Sequence, residues 1–251
     1  MHTRFIRSLQ HPIVKHLTKL NKLKPYRIES NSLILQGDQV IKELSNTLKF
    51  KCLLHEQGSK ISFKIDDSCE VYEVSKEILK KISNLSTPQS LLAEVAMPSF
   101  ADKLTLSPLL ILDQVSDPGN LGTLIRSALA FNFTQIVLLE GCCDPFNDKA
   151  LRSARGATFF VSLFSKSLNE LKLDPMYSGF TLYSADMKGE NIKAVKPQMP
   201  YGLVMGHESK GISDLIKNES ELVSIKMDDR VESLNVGVAG SILMHEFMER
   251  I

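Results

Sequence analysis

No apolar run in this 251-residue chain approaches the roughly 20 residues that a membrane span needs. The opening residues, Met1-His2-Thr3-Arg4-Phe5-Ile6-Arg7, lack the uninterrupted apolar core of a secretory signal. A cytoplasmic location is the expectation. Cysteine is scarce too: Cys52, Cys69, Cys142 and Cys143 have no paired metal-ligand spacing, and an adjacent pair suits no ordinary disulfide framework. They read as reduced bystanders, and no metal is expected. Internal repeats and low-complexity stretches are absent, and no Gly-x-Gly-x-x-Gly follows a β-like run, which weakens a dinucleotide-binding reading. Net charge is also nearly missing, at +1. What is present is 43% hydrophobic and 24% charged residues, enough to build one large core or two modest ones.

The small net charge hides an uneven distribution. From Met1 to Arg27 there are seven basic residues (Arg4, Arg7, Lys15, Lys19, Lys22, Lys24 and Arg27) and no Asp or Glu. Such a stripe is either a solvated helix face or a surface for a polyanion such as RNA, and charge alone favours neither. After His11-Pro12, the apolar residues Ile13, Val14, Leu17, Leu20 and Leu23 recur at helical spacing, so a helix is expected there. β-like runs at Ser32–Gln36, Lys51–His55 and Leu91–Ala96, with helical patterns at Asp38–Leu44 and Lys76–Ser83, predict a small α/β domain over residues 1–97. Residues 98–108 are polar, end in prolines and read as a linker.

From Leu109 strand and helix alternate. Strands are expected at Leu109–Leu112, Gln135–Leu139, Phe159–Leu163, Gly179–Ser184, Gly202–Met205 and Leu222–Lys226. Helices are expected at Leu121–Phe131, Asp148–Ala154, Leu168–Leu171, Ser213–Lys217 and Val236–Arg250. This order predicts an α/β fold whose second domain, residues 109–251, is an open and mainly parallel sheet covered on both faces. Ligands of such sheets collect beyond the carboxyl ends of the strands.

Three segments at those ends stand out. They are Asp113 to Arg126, with Asp117-Pro118-Gly119-Asn120-Leu121-Gly122; Gly206-His207-Glu208-Ser209-Lys210-Gly211; and Asp228 to Val236, with Glu232-Ser233-Leu234-Asn235-Val236. Singly, each has an ordinary explanation: Asn120 or Asn235 as a helix cap, Arg126 as a side chain snorkelling over the core, the glycines as turns. Together they fall on one edge of one sheet. Asp-Pro-x-Asn-x-Gly with a following Arg, then Gly-x-Glu-x-x-Gly, then Glu-Ser-Leu-Asn-Val resembles the ordered three-motif signature of the SpoU (TrmH) branch of the SPOUT methyltransferases. Family-like sequence also surrounds the motifs at Ala150–Ala157, and Ile6–Lys15 with Leu33–Leu44 resembles the substrate-binding domain that many members carry.

The resemblance implies a deep trefoil knot in the second domain and S-adenosylmethionine as cofactor, held by Gly206, Ile225, Met227 and Leu234, with Ser184 and Ala185 on a neighbouring loop. It implies methylation of a ribose 2′-hydroxyl in RNA, ribosomal RNA of the large subunit before transfer RNA, by a homodimer. Arg126 then assists the 2′-oxygen, while Asn120, Glu208, Ser233 and Asn235 orient it or the substrate. A guanidinium stays protonated, so Arg126 as a base and Arg126 as an orienting and charge-stabilising group both stay open. A non-catalytic RNA-binding member of the same fold is the competing reading. The chain departs from the family at Ile225-Lys226-Met227-Asp228-Asp229, where many relatives have Ile-Pro-Met with a later Gly. His207 beside Glu208 supplies two metal-ligating types without a third. For the dimer, the apolar stripe Val238, Ile242, Leu243 and Phe247 on the last helix is either a contact face or packs internally.

Overall fold

The first strand, β1 (Thr3–Ile6), is followed by a helix that the sequence starts and stops by local chemistry. His11 Nδ1 accepts the Ile13 amide at 3.3 Å, Pro12 presets the first turn, and α1 runs Pro12–Lys22. Pro25 has no amide for the Asn21 carbonyl, so α1 cannot continue through it. The chain extends at Leu23 and restarts as α2 (Lys24–Ser30), a helix absent from the sequence-based expectation. Arg27 turns back and donates from Nη1 to the carbonyls of Leu20 (3.0 Å) and Asn21 (3.4 Å). It is 5% exposed, which removes it from the basic stripe; Arg4, Arg7, Lys15, Lys19, Lys22 and Lys24 are exposed.

β2 (Ser32–Gln36), α3 (Asp38–Leu44), β3 (Phe50–Glu56), β4 (Glu70–Val74), α4 (Lys76–Ser83) and β5 (Leu91–Ala96) complete this part. The mixed sheet has the order β1-β4-β3-β5-β2, with β1, β4 and β3 parallel and β5 antiparallel to β3 and β2. Its core joins Val14, Leu17 and Leu20 of α1 to Ile34, Leu54, Val74, Ile78 and Leu92. This computed structural model describes residues 3–250. It divides into two compact units, one of residues 1–98 with 146–152 and one of residues 99–145 with 153–251.

The residues expected to be a linker belong to the second unit. Ala101 donates its amide to the Leu163 carbonyl at 2.7 Å, Leu104 is 4% exposed, and Thr105 exchanges hydrogen bonds with the Gln135 side chain at 2.7 and 2.9 Å. Polar composition concealed the anchoring role of these few contacts. Then follow β6 (Leu109–Leu112), α5 (Pro118–Ala130), β7 (Gln135–Leu139), α6 (Asp148–Ala154) and β8 (Ser162–Lys166). Next come α7 (Leu168–Lys172), β9 (Thr181–Asn191), β10 (Tyr201–Met205), α8 (Asp214–Lys217), β11 (Glu221–Ser224) and α9 (Val236–Met248). β8 starts three residues later than expected because Gly156 adopts a left-handed conformation and a 3-10 turn takes up residues 157–159.

The second sheet is entirely parallel, in the order β11-β9-β10-β6-β7-β8. Near-continuous apolar strands such as Leu109–Leu112 and Tyr201–Met205 suit a sheet buried on both faces. Beside it α5 and α9 approach closely: a Cβ on Gly240 would lie 2.3 Å from Leu124, and Ser127 and Ser241 hydroxyls meet at 2.7 Å. Leu243 and Phe247 are buried in this core, so of the expected apolar face on α9 only Val238 and Ile242 are exposed.

Candidate active site

β6, β10, β9 and β11 end next to one another, so the segments after them share one edge of the sheet. Asp113, directly after β6, is 4% exposed; its amide donates to the Met205 carbonyl at 2.8 Å and its carboxylate accepts the Ser213 amide at 2.7 Å. The first motif is thereby tied to both ends of the second. Gln114 follows with a positive φ of 60°, a costly backbone state that turns the chain toward α5. Asp117 caps α5 by accepting the Asn120 amide at 2.9 Å.

The second motif is a tight turn closed by reciprocal backbone bonds between His207 and Gly211 at 3.0 and 2.9 Å. Gly206 is needed for that turn itself, since a Cβ there would stand 2.4 Å from the Gly211 carbonyl carbon and 2.5 Å from its oxygen. The resemblance implies a cofactor role for this glycine; the backbone it first accommodates is the protein's own.

Glu208 projects from this turn toward the first motif. Its carboxylate accepts Asn120 Nδ2 at 3.0 Å, the Asp117 amide at 3.3 Å and the Ser116 hydroxyl at 3.3 Å. Partial burial pushes this carboxyl up, but the Asn120 side chain and the surrounding backbone donors together hold it below the usual range. Asn120 Oδ1 in turn accepts Asn235 Nδ2 at 2.9 Å. Asn235 caps α9, its Oδ1 accepting the amides of Gly237 (2.9 Å) and Val238 (3.2 Å). One chain of hydrogen bonds, Glu208 to Asn120 to Asn235 to the N-terminus of α9, therefore joins all three motifs.

Beside this chain lies a cavity of about 140 Å³. Ala185, Gly206, Ile225, Met227 and Leu234, five of the expected cofactor residues, line it together with Glu208 and Ser233. Ser184 does not: it is fully buried, and its hydroxyl accepts from Ser220 at 2.7 Å. Its place in the alternation of β9 turns it into the core. Asp186 and Met187 line the cavity and were not singled out from the sequence; His207, noted there only for its place beside Glu208, lines it too. Lys226 and Asp229 are exposed on the loop below, where Arg230 makes a two-pronged contact with Asp228 at 2.8 and 2.9 Å.

Arg126 stands apart. It is exposed on α5 and makes no hydrogen bond or ion pair among the described residues. Two turns of helix separate it from Asn120, and the network does not reach it. No group of three or more His, Cys, Asp or Glu among the described residues is placed to hold a metal ion, and no helix among them is long and apolar enough to cross a membrane.

A parallel sheet with a cleft and a three-motif hydrogen-bond chain at its carboxyl edge defines the class, and comparison with known proteins gives the family. The chain belongs to the SpoU rRNA methylase family, whose model matches residues 107–245; residues 11–93 match the MRM3-like substrate binding domain. It is similar to the 23S rRNA (guanosine(2553)-2'-O)-methyltransferase RlmP of Bacillus subtilis, 29% identical over 96% of this chain and 97% of that one. A crystal structure of an S-adenosylmethionine-bound rRNA methyltransferase from Sinorhizobium meliloti superposes with a TM-score of 0.83, at 26% identity over 98% of each chain. The SpoU methyltransferase AviRb from Streptomyces viridochromogenes shares the fold, with a TM-score of 0.80 at 20% identity over 95% of this chain and 97% of that one.

Proposed function

We propose that this chain methylates a ribose 2′-hydroxyl in ribosomal RNA of the large subunit, with S-adenosylmethionine as methyl donor. The observation that carries the reading is the single hydrogen-bond chain Glu208–Asn120–Asn235 beside the cleft lined by Gly206, Ile225, Met227 and Leu234. The cleft fits such a cofactor: Ile225, Leu234 and Val236 offer flat apolar surface for a purine, and glycines 206 and 211 leave main-chain groups uncovered at its wall. When bound, the cofactor supplies a methyl group already activated for attack by an oxygen nucleophile.

The protein's task is alignment and management of one proton. Ionised Glu208 fixes the Asn120 amide, and Asn120 fixes Asn235, so the polar wall is set before substrate arrives. Arg126, with its five donors uncommitted, is suited to hold a ribose or phosphate oxygen and to stabilise developing negative charge on the 2′-oxygen. Ser233 at the mouth of the cleft completes the polar lining. The exposed Lys15, Lys19, Lys22 and Lys24 of the N-terminal unit supply a surface for the RNA backbone. The trefoil knot, a cytoplasmic location and a homodimer, with Val238 and Ile242 on its contact face, belong to the same reading.

Mapping 2′-O-methyl positions in total RNA from cells with and without the protein tests it. Loss of one site in large-subunit RNA is the expected result. Loss from transfer RNA would replace the substrate, and RNA binding without transfer of labelled methyl would replace catalysis by a binding role. For the homodimer, light scattering that gave a monomer mass at micromolar concentration would remove it.

A further inference from the structure

β9 does not pair evenly with β11. Leu222 faces Ser184 and the next residue, Val223, faces Glu190, so Ala185–Gly189 bulge out of the ladder. Ala185, Asp186 and Met187 of this bulge form one wall of the cleft. Its base is held locally. Gly189 lies so close to the backbone that a Cβ would stand 2.4 Å from Leu222 and Val223 main-chain atoms, and Ser224 donates its hydroxyl to the Gly189 carbonyl at 2.8 Å. Within the bulge, Asp186 Oδ1 accepts the Lys188 amide at 2.9 Å.

One contact ties the bulge to the end of α8. Asp186 Oδ2 meets Lys217 Nζ at 2.6 Å, with the two side chains 16% and 28% exposed. Lys217 ends α8, and its Nζ lies 3.9 Å from the position a Cβ would take on Gly211, a second residue of the cleft lining. We propose that the Asp186–Lys217 ion pair is a latch that ties the bulged wall of this cleft to α8 beside Gly211 and sets how long the nucleoside cofactor is retained. The inference rests on the reading of the cleft as the cofactor site. Lys217 holds the Asp186 carboxyl below its ordinary value, so the pair is charged at neutral pH, and the part of it that stays exposed is open to screening at molar salt. The bulge has no ladder partners of its own, so a bond from it to α8 adds directly to the barrier for moving this wall.

S-adenosylhomocysteine is the probe, because it lacks the sulfonium charge and isolates the latch from electrostatics of the ligand. Binding to the wild-type full chain comes first; absence of binding would refute the cleft assignment itself, apart from the latch. Asp186→Asn keeps the acceptor for the Lys188 amide while turning the oxygen that meets Lys217 into an uncharged NH2 donor, and Lys217→Met keeps the stem. Each is expected to release the probe roughly 10-fold faster, as loss of a partly buried charged contact should. The Michaelis constant for S-adenosylmethionine should rise by a larger factor than kcat falls. The exchanged pair, Asp186→Lys with Lys217→Asp, should recover most of the retention. In the wild type, molar salt should speed release, and in Lys217→Met it should not. Wild-type release rates in folded single variants, or wild-type release insensitive to salt, would overturn the latch.

Discussion

In the N-terminal unit the interior polar side chains answer one another, whereas at the carboxyl edge of the parallel sheet they are organised but left accessible. Asn21 donates to the Ser83 carbonyl at 3.2 Å and accepts from Gln36 at 3.1 Å, and Glu94, 6% exposed, takes His16 at 3.2 Å. Those contacts account for folding and leave no reactive surface. Glu208, Asn120 and Asn235 are equally well connected, yet Glu208 lines a cleft, and Arg126, close by in sequence, is uncommitted. Polar groups paired with one another inside a core mark architecture. Fixed geometry with spare donors at an opening marks chemistry.

The contrast breaks most visibly at Arg126. Arg126→Ala should stay folded, retain cofactor binding and lose roughly 100-fold or more in turnover, the scale of losing one acid–base or charge-stabilising group. Arg126→Lys should restore only part, since a flexible point charge cannot reproduce a planar fork. Single-turnover transfer to RNA, with folding followed by circular dichroism, reads the outcome. A folded alanine variant with normal turnover would make Arg126 an ordinary surface residue.

Gly206 probes the cleft from its backbone. An alanine Cβ would press on the Gly211 carbonyl, which cannot yield as a side-chain tip would. Overpacking of this kind costs about 1–3 kcal/mol, and borne by the turn it should weaken cofactor affinity by roughly 10-fold. Calorimetry finding wild-type affinity would show that the turn is not part of the binding wall.

Much of this was legible in the sequence, for reasons that differ by position. β6, β7, α6, β2 and β5 fall where apolar runs and turn residues placed them, because strands buried on both faces carry their own signal. β4 was not foreseen, although Glu70-Val71-Tyr72-Glu73-Val74 alternates, and neither was α2, whose start depends on Pro25 ending α1. Motif spacing indicated Asn120, Glu208 and Asn235; it could not reveal that they touch in series. Asp113 and Asp186 carried no local signal, since their partners Ser213 and Lys217 lie 100 and 31 residues further along. Arg27 was miscounted because a basic residue reads as surface until its carbonyl partners are known.

Glu208→Gln sharpens the comparison at lower amplitude. With its carboxyl held below the ordinary value, Glu208 contributes stability that is fully present above the unfolded carboxylate range and is lost as pH falls through the lower folded value. The glutamine variant should therefore melt below the wild type at neutral pH, and the gap should close as the solution is acidified. Turnover should fall roughly 10-fold, in keeping with the loss of hydrogen bonds to a charged acceptor. An equal melting difference at every pH would mean that the carboxylate charge has no part in fixing Asn120.

The smallest expected effects separate the two kinds of basic residue within one short segment. Lys19 is exposed on α1, with Nζ 5.3 Å from the centre of the Tyr26 ring, and Arg27 is buried with its guanidinium on the Leu20 and Asn21 carbonyls. If the exposed lysines meet RNA phosphates, Lys19→Ala should leave the melting temperature nearly unchanged and weaken RNA binding a few-fold. It should also reduce the slope of log affinity against log salt by about 1, the mark of one lost phosphate contact. Arg27→Met should do the reverse: it strands two carbonyls and costs about 1–3 kcal/mol of stability, while the salt slope of the folded protein stays as in the wild type. Filter binding over a series of salt concentrations, paired with thermal melts, separates these outcomes. An unchanged slope for Lys19→Ala would take the α1 lysine out of the RNA surface, and a reduced slope for folded Arg27→Met would return this arginine to it.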